Sequence, residues 1–351
     1  MTVGTVVGEG NDVRLAGNPK WWFTPPDDIN MRLPDQVLNT VCFIAHPAPQ
    51  IKYGGTAFVV AMKGAHGNAF LHLVTAKHVA EVVEHVPFVI GMNTKGGQKA
   101  LLDANYDADH IVKWWYHPTE PNAVDVAVTP FGPDQYEKLD LEWVFYPNMF
   151  VTPDIRKKAG IGIGDEIAAV GLFTAFSGKE KHFPIVRIGN LAMLPGERVP
   201  VKGFDPMEVY LAEGRSIGGL SGSPVYVRQT LSMDVKTHDG EVANLAGCGK
   251  IYFLGLMHGH WDLPAGFVNA VASEAINMGI SIVVPAHKIL EVLNHPELVE
   301  MRKKQDEEIG KENLPTLDYA FEKPAPKRPF TQDEFEAALK KASRKVTLDK
   351  K

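Results

Sequence analysis

Short apolar runs divided by turns begin at Leu38 and recur through most of the chain. Val41-Cys42-Phe43-Ile44-Ala45 is the first, and Thr56-Ala57-Phe58-Val59-Val60-Ala61 follows the Gly54-Gly55 turn. Phe70-Leu71-His72-Leu73-Val74-Thr75 comes after a turn that holds Gly64 and Gly67-Asn68. Runs this short and this evenly spaced predict a β-sandwich or barrel, because parallel βαβ units would set long helical patterns between the strands. A second β-rich half reads the same way. Its strands are Ile167–Gly171, Ile185–Ile188, Met207–Leu211, Ser223–Val227, Ile251–Leu256 and Gly279–Pro285. Pro285 ends the last of these, and Lys288–Leu293 carries the apolar 3–4 spacing of a helix.

The texture changes at three places. Residues 1–37 mix Gly, Pro, Asp and Asn with an isolated Trp21-Trp22-Phe23, the composition of an irregular arm. Residues 139–155, with Pro147 and Pro153 and little alternation, read as the link between two β-rich halves. From 296 to 351 the chain is charged and proline-bearing, linker chemistry that ends in a short helix opened by the capping box Thr331-Gln332-Asp333-Glu334. Thus 38–295 is expected to form the folded body: one barrel over about 38–138, another over about 155–285, and a closing helix over about 286–295.

Composition narrows the function classes. The net charge of −6 leaves no basic footprint for nucleic acid. No apolar run approaches the ~20 residues that span a bilayer, so no membrane partner is expected. The start, Met1-Thr2-Val3-Gly4, has no basic segment ahead of an apolar stretch and reads as carrying no secretory signal. The only two cysteines, Cys42 and Cys248, are far apart in apolar runs. They read as buried free thiols rather than a disulfide, and the expected address is the cytoplasm.

Candidate chemistry sits at three points. Ser221 lies in the turn Gly219-Leu220-Ser221-Gly222-Ser223-Pro224, whose glycines permit a tight bend. There the N–H groups of Gly219 and Ser221 can converge as an oxyanion hole. His78 follows the apolar Leu73-Val74-Thr75-Ala76, at a strand end where a helical turn over Val79–Val83 can begin. Asp125 opens Val126-Ala127-Val128. A serine, a base and an orienting carboxylate are the parts of an activated nucleophile.

These residues resemble the trypsin-like serine peptidases of the chymotrypsin fold, nearer the bacterial HtrA-like branch than the digestive enzymes. The order His, Asp, Ser is the order of that arrangement. The resemblance spans roughly 38–295 and rests on Gly55–Val60, Leu73–Val79, Asp125–Val128, Gly164–Ile167, Gly219–Pro224 and Gly279–Pro285. It implies two perpendicular six-stranded barrels with the active site in the cleft between them. The implied activity is endopeptidase cleavage of a protein or peptide through an acyl-enzyme, with Ser221 as nucleophile, His78 as base and Asp125 as orienter. An idle module of the same fold that binds peptides or partners is the alternative. Three departures stand out: Lys77 where a small residue is usual, Ser223 for a glycine, and Leu220 for an aspartate. Leu220 cannot pair with a freshly cut N-terminus, so activation by such a cut is not expected. No peptide-binding PDZ module follows the resemblance.

For substrate selection, Arg215 holds the position that commonly floors the primary pocket in that family. It would favour an acidic side chain unless it turns into an ion pair with Glu213. Met257-His258-Gly259-His260 is expected to form the pocket wall and the strand that pairs with substrate backbone. His258 and His260 with Asp262 also offer an imidazole pair for zinc, but no third ligand has convincing spacing. Neither a metal nor another cofactor is therefore assigned.

Overall fold

A computed structural model describes residues 33, 35–47, 51–66, 68–104, 112–132, 138–141, 144–214, 219–228, 251–263 and 276–312, together with the short strands 234–236 and 242–244. Residues 1–32 of the N-terminal arm, Arg215, Cys248 and the tail from 313 lie outside the described residues.

The body is built mostly of antiparallel β-structure in two halves. The first contains β1 (Val41–His46), β2 (Lys52–Lys63), β3 (Ala69–Thr75), β4 (Val89–Asn93), β5 (Lys99–Asp103) and β6 (Ala127–Pro130). They form one six-stranded sheet in the order β5-β4-β1-β2-β3-β6. In the second half β7 (Glu166–Gly171), β8 (Ile185–Met193), β9 (Tyr210–Glu213) and β10 (Pro224–Arg228) are followed by the two-stranded pair β11 (Asp234–Lys236) and β12 (Val242–Asn244). β13 (Ile251–Leu263) and β14 (Ile276–Pro285) then close a six-stranded barrel ordered β10-β13-β14-β9-β8-β7. The long β13 runs well past the Leu256 at which its apolar run stops, because pairing with β14 carries it on.

Between the halves the segment 144–151 is far more than a connector. Val144, Phe145, Phe150 and Val151 are all buried. Phe145 bridges to Val60 of β2 and Phe150 to Phe253 of β13. The rings of Phe58, Phe145, Phe150 and Phe253 meet at centroid distances of 4.5–5.4 Å, so one aromatic cluster joins the two sheets. The sequence hid this role because its apolar residues follow no two-residue alternation. Next comes α2 (Pro153–Ala159), with Pro153 in its first turn, the Thr152 hydroxyl accepting from the Ile155 amide at 3.3 Å, and Gly160 at φ 66° ending it.

After β14, α3 (Ala286–Leu293) buries Ala286, Ile289, Val292 and Leu293. The charge-rich stretch that follows, which reads as linker in the sequence, forms α4 (Pro296–Glu312). Its buried stripe is Leu298, Arg302 and Asp306, four residues apart and so on one helical face. Asp306 accepts from the His66 amide at 3.0 Å and from Asn68 Nδ2 at 2.7 Å, and Arg302 Nη1 donates to His72 Nε2 at 3.1 Å. Two charged residues at core-facing positions are what made this helix look unstructured. No described helix is long and apolar enough to cross a membrane.

Candidate active site

Strand register brings His78 and Asp125 together. β3 and β6 are antiparallel, with Thr75 opposite Ala127. The residues just after β3 and just before β6 therefore leave the same end of one strand pair. His78 is the second residue of α1 (Lys77–Val83), which starts directly there. Its amide donates to Asp125 Oδ1 at 3.0 Å and its Nδ1 to Oδ2 at 2.9 Å. A double attachment of this kind fixes both the backbone and the ring. Against a carboxylate the ring nitrogen must carry the hydrogen, so Nδ1 is the protonated nitrogen and Nε2 keeps its lone pair.

Lys77 has a definite task. Its ammonium donates to the Pro121 carbonyl at 2.7 Å and lies 3.5 Å from Glu81. It thereby ties α1 to the loop that leads into Asp125.

Ser221 belongs to the turn before β10, and this turn is held from both halves. Thr56, at the buried part of β2, donates its amide to the Ser221 carbonyl at 2.9 Å and its hydroxyl to the Gly219 carbonyl at 2.7 Å. That hydroxyl also accepts from the Leu172 amide at 2.9 Å. From β13, the Met257 carbonyl accepts from the Gly222 amide and the Met257 amide donates to the Ser223 carbonyl, each at 2.8 Å. Gly219 and Gly222 sit at φ 96° and 85°. At 222 a Cβ would run into the Thr56 carbonyl oxygen, so only glycine fits. Among the described residues the amides of Gly219 and Ser221 donate to no protein acceptor. Leu220 is fully buried in the second-barrel core, and Ser223 Oγ is buried without a described hydrogen-bond partner.

The expected pocket wall divides into unlike residues. Met257 is buried in the barrel core, so it contributes backbone rather than side chain. Across from it, β14 pairs Val283 with Met257 and Ile282 with Gly259, leaving His258 as the extra residue of a β-bulge. Bulges re-aim side chains, and this one turns His258 inward onto Asp125. Its Nδ1 donates to the same Oδ2 that His78 uses, at 2.6 Å. The rings of His78 and His258 meet edge to face, 5.3 Å between centroids. Ser221 Oγ donates to the His258 carbonyl at 2.9 Å; no hydrogen bond joins it to His78 among the described residues. Gly259 has open space where a Cβ would stand, and His260 is half-buried.

Electrostatics centre on Asp125, which is 0% exposed. Burial alone would raise its pKa, but the bonds and charges of His258 and His78 hold the carboxyl well below the usual carboxylate range. Burial pulls His78 down, while its bond to Asp125 and the charges of Asp125 and Glu81 leave it above the ordinary value. One ring nitrogen from each of His78 and His258 and one carboxylate oxygen of Asp125 lie within 4.8 Å of one another. Both Nδ1 atoms are spent on N–H···O bonds to the carboxylate.

A cleft of about 340 Å³ is lined by Thr119, Glu120, Asn122, Arg198 and Asp205 among others. Glu120 pairs with Arg198 and, at 3.4 Å, with Lys288 of α3.

Sequence reading missed Thr56 and the inward turn of His258. No periodic or spacing signal marks Thr56, and a bulge shows only in strand register.

No family model and no curated protein matches the chain. Among solved structures it is similar to the MamO protease domain from Magnetospirillum magneticum, at 14% identity and a TM-score of 0.43 over 74% of this chain and 97% of that one. The active form of the Rv3671c protease from M. tuberculosis is similar at 14% identity and a TM-score of 0.38, over 74% and 81% of the two chains. The HtrA-type protease AlgW with a decapeptide gives 14% and 0.40, and the match covers 75% of this chain and 65% of AlgW. Each match covers about three quarters of this chain, whose described strands form a closed six-stranded barrel and a second six-stranded sheet.

Proposed function

We propose that the protein is a serine endopeptidase that acts through Ser221, His78 and Asp125. The observation that carries this reading is the doubly anchored His78. A fully buried carboxylate holds its amide at 3.0 Å and its Nδ1 at 2.9 Å, leaving Nε2 as the free base. In the reaction Ser221 Oγ turns from the His258 carbonyl towards His78 Nε2, gives up its proton and attacks the scissile carbonyl. The new charge on that oxygen is met by the N–H groups of Gly219 and Ser221. His78 returns the proton to the leaving amine, and water hydrolyses the acyl-enzyme by the same steps. Asp125 stays ionised throughout and stabilises the imidazolium.

The hydrogen bond from Ser221 to the His258 carbonyl favours a second reading, a module that holds peptides in the same cleft without turnover. Incubation with a diverse peptide mixture separates the two. New termini that vanish in Ser221→Ala support the peptidase; peptide retention with no new termini would establish the module.

A further inference from the structure

We infer that His258 is a positioning residue, and that Asp125 serves two imidazoles at once, so that a proton on His258 slows the activation of Ser221. The inference rests on the peptidase reading above and adds a control to it.

One oxygen, Asp125 Oδ2, accepts from Nδ1 of His78 at 2.9 Å and from Nδ1 of His258 at 2.6 Å. The bulge that isolates His258 between the pairs Met257–Val283 and Gly259–Ile282 aims it there. His258 touches the nucleophile as well, through its carbonyl. A hydroxyl or an amide at 258 would make the same bond to Asp125 and never change charge. An imidazole keeps that bond and can still take a proton at Nε2.

The groups around His258 set the sign of the effect. Asp125 comes from the strand entry, while α1 contributes His78, whose charge Glu81 also feels. Beside them Phe204, in the 199–207 loop, packs T-shaped on the His258 ring with 5.3 Å between centroids, and the turn before β10 presents Ser221. Among the described residues, Asp125 is the one carboxylate bonded to His258. Two imidazoles thus compete for a single negative charge. When His258 is cationic, the imidazolium that must form at His78 meets a like charge about 5.3 Å away. Coulomb repulsion at that separation is equivalent to a roughly 4- to 200-fold loss for effective dielectric constants between about 80 and 20.

The test uses the full chain with ¹⁵N-labelled histidine, titrated by NMR, alongside labelling by a fluorophosphonate probe over the same pH range. His258→Asn keeps one N–H donor near the Nδ1 position and removes the charge. In the wild type, the His78 titration is expected to depart from a single step, because the charge of the neighbouring ring acts on it across 5.3 Å. The acid limb of the labelling rate should then follow two protons. In His258→Asn, His78 should titrate in one step, with an apparent pKa raised by roughly half a unit to two units, and the acid limb should follow one proton. His258→Leu should also lower the labelling plateau, a loss that Asn restores. Identical His78 titration in the wild type and His258→Asn, in a protein that takes up the label, would overturn this inference alone. Coupled titration in a protein that takes up no label at any pH would overturn the peptidase reading and the activating role with it.

Discussion

Replacing Asp125 with Asn exchanges one oxygen for an NH₂ group, and the geometry shows what that exchange does. Oδ1 accepts the His78 amide, while Oδ2 accepts both imidazole Nδ1–H groups. Asn can keep a carbonyl for the amide, but its NH₂ then stands where Oδ2 stood. An NH₂ group cannot accept, so both rings must present a lone pair at Nδ1 and carry hydrogen on Nε2. His78 Nε2 is then unable to take the serine proton. The expected loss of turnover is on the order of 10⁴-fold. Stability should suffer much less, because the NH₂ can donate to both rings. Exchanging two charge-assisted bonds for neutral ones costs about 1–3 kcal/mol. The pH dependence has a definite sign. The folded-state pKa of Asp125 is depressed, so its contribution is present above the unfolded value near ~4 and fades as pH falls below it. Urea unfolding of both proteins at pH 7 and pH 3, with fluorophosphonate labelling rates, checks both parts. A labelling rate within tenfold of wild type would mean that Asp125 does not set the His78 tautomer, and a stability gap that does not shrink in acid would mean that its carboxylate is not held ionised by the two rings.

Three further outcomes follow from packing. Gly222→Ala forces a Cβ against the Thr56 carbonyl at φ 85°, and should cost about 3 kcal/mol or more in denaturant unfolding; a cost below ~1 kcal/mol would contradict the fit. Ser223→Ala removes a buried hydroxyl without a described partner and should stabilise by about 1 kcal/mol, read as a higher Tm; a fall would show the hydroxyl to be satisfied. Asp306→Ala leaves Asn68 and the His66 amide without their acceptor and should cost about 2 kcal/mol, with faster amide exchange along α4; unchanged exchange would mean that Leu298 and Arg302 hold the helix alone.

The two-half β-architecture was legible because strand runs, glycine turns and Pro285 all carry local signals. His78, Asp125 and Ser221 could be singled out for the same reason: each lies at the end of a readable run. Other features depend on register or on contacts between distant segments. His258 was read as pocket wall because period-two alternation cannot reveal an inserted residue, and the bulge alone turns its ring to Asp125. Thr56 looked like an ordinary strand residue, although its amide and hydroxyl clamp the Gly219–Ser221 turn from the other half. α4 was read as linker because Arg302 and Asp306 break its apolar stripe. Their partners, His72, His66 and Asn68, lie more than two hundred residues earlier.

Activation of Ser221 by His78, as proposed above, is read out by peptide mapping of the fluorophosphonate adduct on the wild type, Ser221→Ala and His78→Ala. A single stoichiometric adduct on Ser221 is expected, absent from Ser221→Ala and slowed by at least about a thousandfold in His78→Ala. Labelling of another residue, or an equal rate on Ser221 without His78, would contradict it.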